Sequence, residues 1–193
     1  MLFTELRGLL RYTHSVNGRR DALILVKPTE QSKDAVLGYR EEFVSDSDGH
    51  GTASLHKAAT FEEWLQRVRN SENEDTVQEG YVPSSTYLAV RYPDERLIGM
   101  LAIRHWLTKA LEFEGGHIGY SVRRSERRKG YATKMLKQAL SVCEQMGIYK
   151  VLLTCDKDNT GSSNVIRANG GVLQSEFMND DGNLAQRYWI TLA

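Results

Sequence analysis

The sequence predicts a single α/β (α+β) domain built on a mixed central sheet of about seven strands with about four helices. Three observations carry that reading. Short runs rich in β-branched and aromatic residues alternate with stretches whose apolar residues recur at three- and four-residue steps. The turn-forming runs Pro93-Asp94-Glu95 and Asn179-Asp180-Asp181-Gly182-Asn183 each lie between two strand-like runs, so each pair folds back as an antiparallel hairpin. Val151-Leu152-Leu153 is apolar without alternation, the pattern of a central strand buried on both faces.

Taken in order, residues 1–20 carry Arg7, Arg11, Arg19 and Arg20 around a small apolar cluster and form an appendage to the domain, which spans 21–193. Ala22 to Val26 is a buried strand ended by Pro28. After the cap-like Thr29-Glu30-Gln31-Ser32, residues Ala35, Val36, Tyr39 and Phe43 line one helical face. Ser45 to Ser54 is turn-rich and acidic at Asp46 and Asp48. Thr60 with Glu63 makes a capping box for a helix striped by Phe61, Trp64, Leu65 and Val68. Glu72, Glu74, Asp75 and Glu79 fill the loop that follows.

Tyr87 to Arg91 and Leu97 to Trp106 are the first hairpin, and Gly115-Gly116 leads into the next strand. In a long helix Ala132, Met135, Leu136, Ala139, Leu140, Cys143 and Met146 then recur at three- and four-residue steps, and Gly147 closes it. A short helix over Ser162 to Ala168 is stopped by Gly170-Gly171, and Val172 to Met178 with Leu184 to Thr191 makes the last hairpin.

Composition narrows the function. The 193 residues hold 25 basic and 25 acidic side chains, a formal net charge of zero, so nucleic acid is not an expected partner. No run of eighteen apolar residues is present, so no membrane association is expected and the protein should be cytoplasmic. Two cysteines make neither a disulfide framework nor a zinc cluster, and no metal is expected.

One stretch stands apart. In GHIGYSVRRSERRKGYA, residues 116–132, five cations (Arg123, Arg124, Arg127, Arg128 and Lys129) surround the single anion Glu126. Gly130 opens a helix, whose first-turn N–H groups lack internal partners and lie at the positive end of the helix dipole. Such a terminus binds phosphate.

Strand, basic loop and Arg127-Arg128-Lys129-Gly130-Tyr131-Ala132 at a helix start resemble the acyl-CoA-binding motif of the GNAT-type N-acetyltransferases. The likeness extends over roughly residues 85 to 191 and includes the strand Val151 to Cys155 followed by Asn159, Ser162 and Ser163. It implies the GNAT fold, in which the strands Gly116 to Val122 and Lys150 to Cys155 run parallel and splay apart around the pantetheine arm. It also implies acetyl-CoA as cosubstrate and direct attack by a primary amine, either a small molecule or a protein amine. A homodimer is a further expectation, from exposed hairpin edges. The alternative is a catalytically weak acyl-CoA-binding sensor of the same fold.

By the same resemblance, main-chain groups of Tyr120 and Val122 pair with the pantetheine and the Val122 N–H meets the oxyanion. Residues Arg127, Arg128, Lys129, Gly130, Tyr131, Ala132 and Thr133 hold the pyrophosphate, and Asn159 and Ser163 the pantetheine. Read without the resemblance, Asp158-Asn159 is a turn and Ser162 the cap of the next helix.

An alkylamine of pKa about 10.4 needs roughly 4 to 5 kcal/mol to lose its proton at neutral pH, so a base matters more than an acid. Many relatives place a glutamate where this chain has Gly116; Glu114 and His117 flank that position. Either can equally be a solvated or a structural residue. The acid that some relatives carry as tyrosine after the central strand is missing, which leaves Tyr188 or Tyr120. The acids from Asp46 to Glu79 and at Asp180 and Asp181 suggest a cationic acceptor, or else ordinary loop solvation.

Overall fold

A computed structural model describes residues 22–43 and 50–193. The N-terminal appendage and the acids Asp46 and Asp48 lie outside those residues. The strands are β1 (Ala22–Val26), β2 (Ser84–Tyr92), β3 (Arg96–Arg104), β4 (Ile118–Val122), β5 (Lys150–Asp156), β6 (Val172–Met178) and β7 (Leu184–Thr191). The helices are α1 (Lys33–Arg40), α2 (Phe61–Asn70), α3 (Lys109–Phe113), α4 (Tyr131–Gln145) and α5 (Thr160–Ala168).

The seven strands divide into two sheets, ordered β1-β2-β3-β4 and β5-β7-β6. Every ladder within them is antiparallel. No ladder joins β4 to β5 among the described residues; a single bridge, Gly116 with Leu153, links the sheets. The two strands therefore touch just ahead of β4 and part beyond it.

Alternation along the strands explains why both faces of the first sheet are apolar. Leu88 and Val90 pack with Leu97, Met100, Tyr39, Trp64 and Leu65 on the α1 and α2 side. Ala89 lies between them in sequence and packs with Ile98, Leu101, Ile118, Val122, Met135 and Leu136 on the α4 side. Period-two geometry sends neighbours to opposite faces, and here each face is roofed by helix.

Besides the division of the one expected mixed sheet into two antiparallel ones, two features differ from the sequence reading. The helix expected from Ser162 begins at Thr160, and Asn159, not Ser162, caps it by accepting a hydrogen bond from the Ser162 N–H at 3.0 Å. Helix α3 was absent from the reading because it buries none of its five residues, so no apolar stripe marks it; Thr108 caps it by accepting from the Leu111 N–H.

Candidate functional site

The site begins where β4 leaves the first sheet. The Arg123 N–H still donates to the Ile98 carbonyl on β3 at 2.9 Å. Alternation therefore turns the main-chain groups of Val122 and Tyr120 to the opposite edge, toward β5, where no ladder takes them up.

The loop beyond Val122 is built on ion pairs. Glu126 is 3 % exposed, and its carboxylate meets Arg91 at 3.1 Å, Arg96 at 3.3 Å and Lys129 at 2.9 Å. Burial alone would raise its pKa, but the Lys129 hydrogen bond and the three cations prevail and hold it below the usual carboxylate range. Glu42, just past α1, accepts from the Ser125 N–H at 3.2 Å and lies 3.2 Å from Arg123 Nε, an ion pair not aligned as a hydrogen bond. It too is lowered: burial opposes, and the Ser125 bonds with Arg123 and Arg96 outweigh it. Arg127 Nε donates to the Val122 carbonyl at 3.0 Å. Arg123, Arg127 and Lys129 thus brace the loop itself, where the resemblance implied that Arg127 and Lys129 hold the pyrophosphate.

What the loop presents outward is main chain. Arg128 and Gly130 both have positive φ, 64° and 78°. No side chain caps α4, and its first internal bond runs from the Lys134 N–H to the Gly130 carbonyl at 3.2 Å. The N–H groups of Tyr131, Ala132 and Thr133 have no acceptor among the described residues. A Cβ added at Gly130 would meet nothing within 4 Å, so glycine serves the left-handed backbone and leaves the space above it open. Tyr131 is anchored by Arg91, which donates to its hydroxyl at 3.0 Å. Uncapped N–H groups at a helix start, beside open space, fit a pyrophosphate.

Across the gap, the Tyr120 hydroxyl and Ser162 Oγ lie 3.0 Å apart. Burial pushes the Tyr120 phenol up to about 12, against the Ser162 hydrogen bond and reinforced by nearby Cys155. Ser163 is buried, its Oγ donating to the Thr160 carbonyl at 3.2 Å, and Asn159 Oδ1 is committed to its cap. The Tyr120–Ser162 pair was not assembled from sequence, because 42 residues separate its members.

Of the four residues considered for acid and base chemistry, His117, Tyr188 and Glu114 are each held in a separate contact. His117 is buried and clamps the two sheets: its N–H donates to the Leu152 carbonyl at 2.8 Å, and its Nδ1 accepts from the Leu152 N–H at 3.0 Å. Burial, then the charge of Arg104, lowers its pKa to about 4, so the ring is neutral near pH 7. Tyr188 is fully buried on β7, donating to Gln186 Oε1 at 2.6 Å and accepting from Arg167 at 3.2 Å. Glu114 follows α3, and its Oε2 accepts from the Asp180 N–H at 3.4 Å, beside the last hairpin turn. Arg187 ties the same two segments, its guanidinium 4.5 Å from the Phe177 ring centre and donating to the Phe113 carbonyl.

No curated protein shows a significant sequence match. Solved structures of the same fold do match. An acetyltransferase of the GNAT family from Bacillus anthracis is 19 % identical with a TM-score of 0.61, covering 90 % of this chain and 96 % of that one. RimL, a ribosomal L7/L12 alpha-N-protein acetyltransferase in complex with coenzyme A, is 19 % identical with a TM-score of 0.64, covering 88 % and 94 %. A spermidine N-acetyltransferase chimera of Vibrio cholerae SpeG and hSSAT is 12 % identical with a TM-score of 0.61, covering 88 % and 95 %. The family model described as an acetyltransferase (GNAT) domain matches residues 22–172, and the chain belongs to that family of acetyltransferases.

Proposed function

We propose that this enzyme transfers an acetyl group from acetyl-CoA to a primary amine by direct attack in a ternary complex. The observation that carries the reading is the open edge of β4 running into the uncapped start of α4. N–H groups from Arg128 to Thr133 hold the pyrophosphate, with Arg127 and Lys129 fixing the loop that presents them. The main chain of Tyr120 and Val122 pairs with the pantetheine, beside Asn159 and Ser163. The Val122 N–H meets the carbonyl oxygen as it gains charge, a contact worth several kcal/mol in a site closed to water.

Of the two bases read from the sequence, Glu114 stands ahead of His117, whose neutral ring spends its Nδ1 lone pair on Leu152. The Tyr120–Ser162 pair supplies the proton for the departing thiolate, in preference to the buried Tyr188. Glu114, Asp180 and Asp181 make a cationic acceptor, a small amine or a protein amino group, the favoured class. The relatives named above act on a protein amino terminus and on spermidine.

The test is thiol release from acetyl-CoA with a panel of amines, wild type against Gly130→Glu. Turnover with cationic amines that is lost in the variant supports the reading. Acetyl-CoA binding without turnover on any amine or peptide overturns it in favour of an acyl-CoA sensor. Faster reaction with neutral than with cationic amines removes the acceptor class alone.

A further inference from the structure

The loop before α2 is pinned face-down on β4 by a contact between two glycines. Gly51 has φ +74°, and a Cβ built on it would lie 2.2 Å from the Gly119 carbonyl oxygen and 2.9 Å from the Tyr120 Cα. A Cβ on Gly119 would lie 3.2 Å from the Gly51 nitrogen and 3.9 Å from the His50 carbonyl carbon. The backbones approach this closely only because neither residue has a side chain.

The loop is held in that pose from behind. Trp64 Nε1 donates to the Thr52 carbonyl at 2.8 Å, Arg67 donates to the Ser54 carbonyl at 3.2 Å, and Leu55 is buried in the core. Ala53 and Ser54 also take positive φ, 50° and 55°. Two non-glycine residues in that region cost of order 1 kcal/mol each or more, a strain that persists only where surrounding contacts impose it.

The consequence is the placement of His50. Its backbone sits over the middle of β4, between Gly116, just ahead of the strand, and Val122, whose N–H faces the gap. The residue is exposed, on the face of β4 opposite the one that packs against α4. Imidazole is the side chain most often used to move a proton in general acid–base catalysis.

On the acetyltransfer reading above, we propose that His50, in place of Glu114, is the base that deprotonates the acceptor ammonium, and that the Gly51–Gly119 contact positions it. The imidazole takes one proton from the ammonium and later returns it to water. The freed nitrogen lone pair forms the C–N bond to the acetyl carbon, and the C–S bond breaks with its electron pair on sulfur. The nitrogen sheds its second proton, which ends on the thiolate, giving amide and free thiol.

The experiment is kcat and KM of wild type, His50→Ala and Gly51→Ala with the best amine of the panel, with acetyl-CoA affinity and Tm measured in parallel. His50→Ala lowers kcat about 100-fold, the low end for a lost general base, with acetyl-CoA affinity and Tm unchanged. Added imidazole restores part of that loss, which a merely structural role would not allow. Gly51→Ala raises the amine KM and lowers kcat, because the loop must lift from β4. A His50→Ala rate within twofold of wild type, or a loss that imidazole leaves untouched, overturns the proposal while the acetyltransfer reading stands. No turnover by the wild type on any amine or peptide overturns both.

Discussion

The two ends of β4 are held by different physics. At its start, Gly116 bridges to Leu153 and His117 exchanges two hydrogen bonds with Leu152, so main chain and one neutral ring bolt the two sheets together. At its finish, the strand keeps its bonds to β3 but faces β5 across a gap, and the loop beyond it is braced by the carboxylates of Glu126 and Glu42. A neutral, close-packed junction sets the angle at which the strands part. A charged brace then holds peptide N–H groups outward without using them itself. The first end should fail by steric insult and the second by loss of charge, which makes the contrast testable.

The largest effect is expected at the junction. A Cβ on Gly116 would lie 2.4 Å from the Leu152 carbonyl oxygen and 2.8 Å from its carbon, at a residue whose φ is +64°. Neither neighbour is a flexible side chain, so Gly116→Ala should cost about 3 to 4 kcal/mol, combining left-handed strain with overpacking. Urea denaturation measures the loss. A cost under about 1 kcal/mol would mean that the sheets are not joined this tightly.

The brace should respond to Glu126→Gln. Removing one partner from a buried ion-pair cluster leaves cations uncompensated, at a cost of about 3 kcal/mol. That is the low end for such sites, because Arg96 and Lys129 are partly exposed and can re-solvate. Acetyl-CoA affinity, measured by calorimetry, should fall about tenfold as the loop loosens, the equivalent of about 1.4 kcal/mol. Gly116→Ala should instead affect stability first and donor affinity second.

Acid should act on both ends, on the junction first and then on the brace. Glu126 and Glu42 both have lowered pKa values in the fold. Their stabilisation is fully present above the unfolded carboxylate pKa of about 4.3 and is lost as pH falls through the folded values. Stability followed from pH 7 down to pH 3 should fall in two stages, a shallow one from about pH 6.5 and a steeper one below about pH 4.3, and Glu126→Gln should flatten only the second. The first stage belongs to His117, whose pKa is lowered to about 4: below about pH 6.5 the unfolded chain takes up a proton that the buried ring does not.

How far the sequence could be read follows the same division. Elements with a period in their own residues were legible: α4 from its stripe, β5 from its apolar run, and β6 and β7 from the turn between them. Residues whose role depends on distant partners were not. Glu126 reads locally as one acid diluting a basic loop, yet two of its partners, Arg91 and Arg96, arrive from the first hairpin. Its position as the lone anion among five cations was the available signal. The uncapped N–H groups at Gly130 were legible because they belong to any helix start, whereas the pairing of Tyr120 with Ser162 needed the fold.

The smallest effect serves as the control. Thr60 caps α2, accepting from the Glu63 N–H at 3.1 Å while Glu63 accepts in return from the Ala59 N–H at 2.9 Å. Thr60→Ala should cost about 1 kcal/mol, a drop in Tm of roughly 2 to 4 °C, because one cap is lost and the helix stays packed through Trp64 and Leu65. Neither β4 end touches this cap, so acetyl-CoA affinity should stay within twofold of wild type. Were Thr60→Ala to weaken acetyl-CoA binding as much as Glu126→Gln does, donor affinity would be tracking global stability. The ion pairs around Glu126 would then no longer explain the posture of the loop. Unchanged affinity at lowered stability would leave that posture to Glu126 and Glu42.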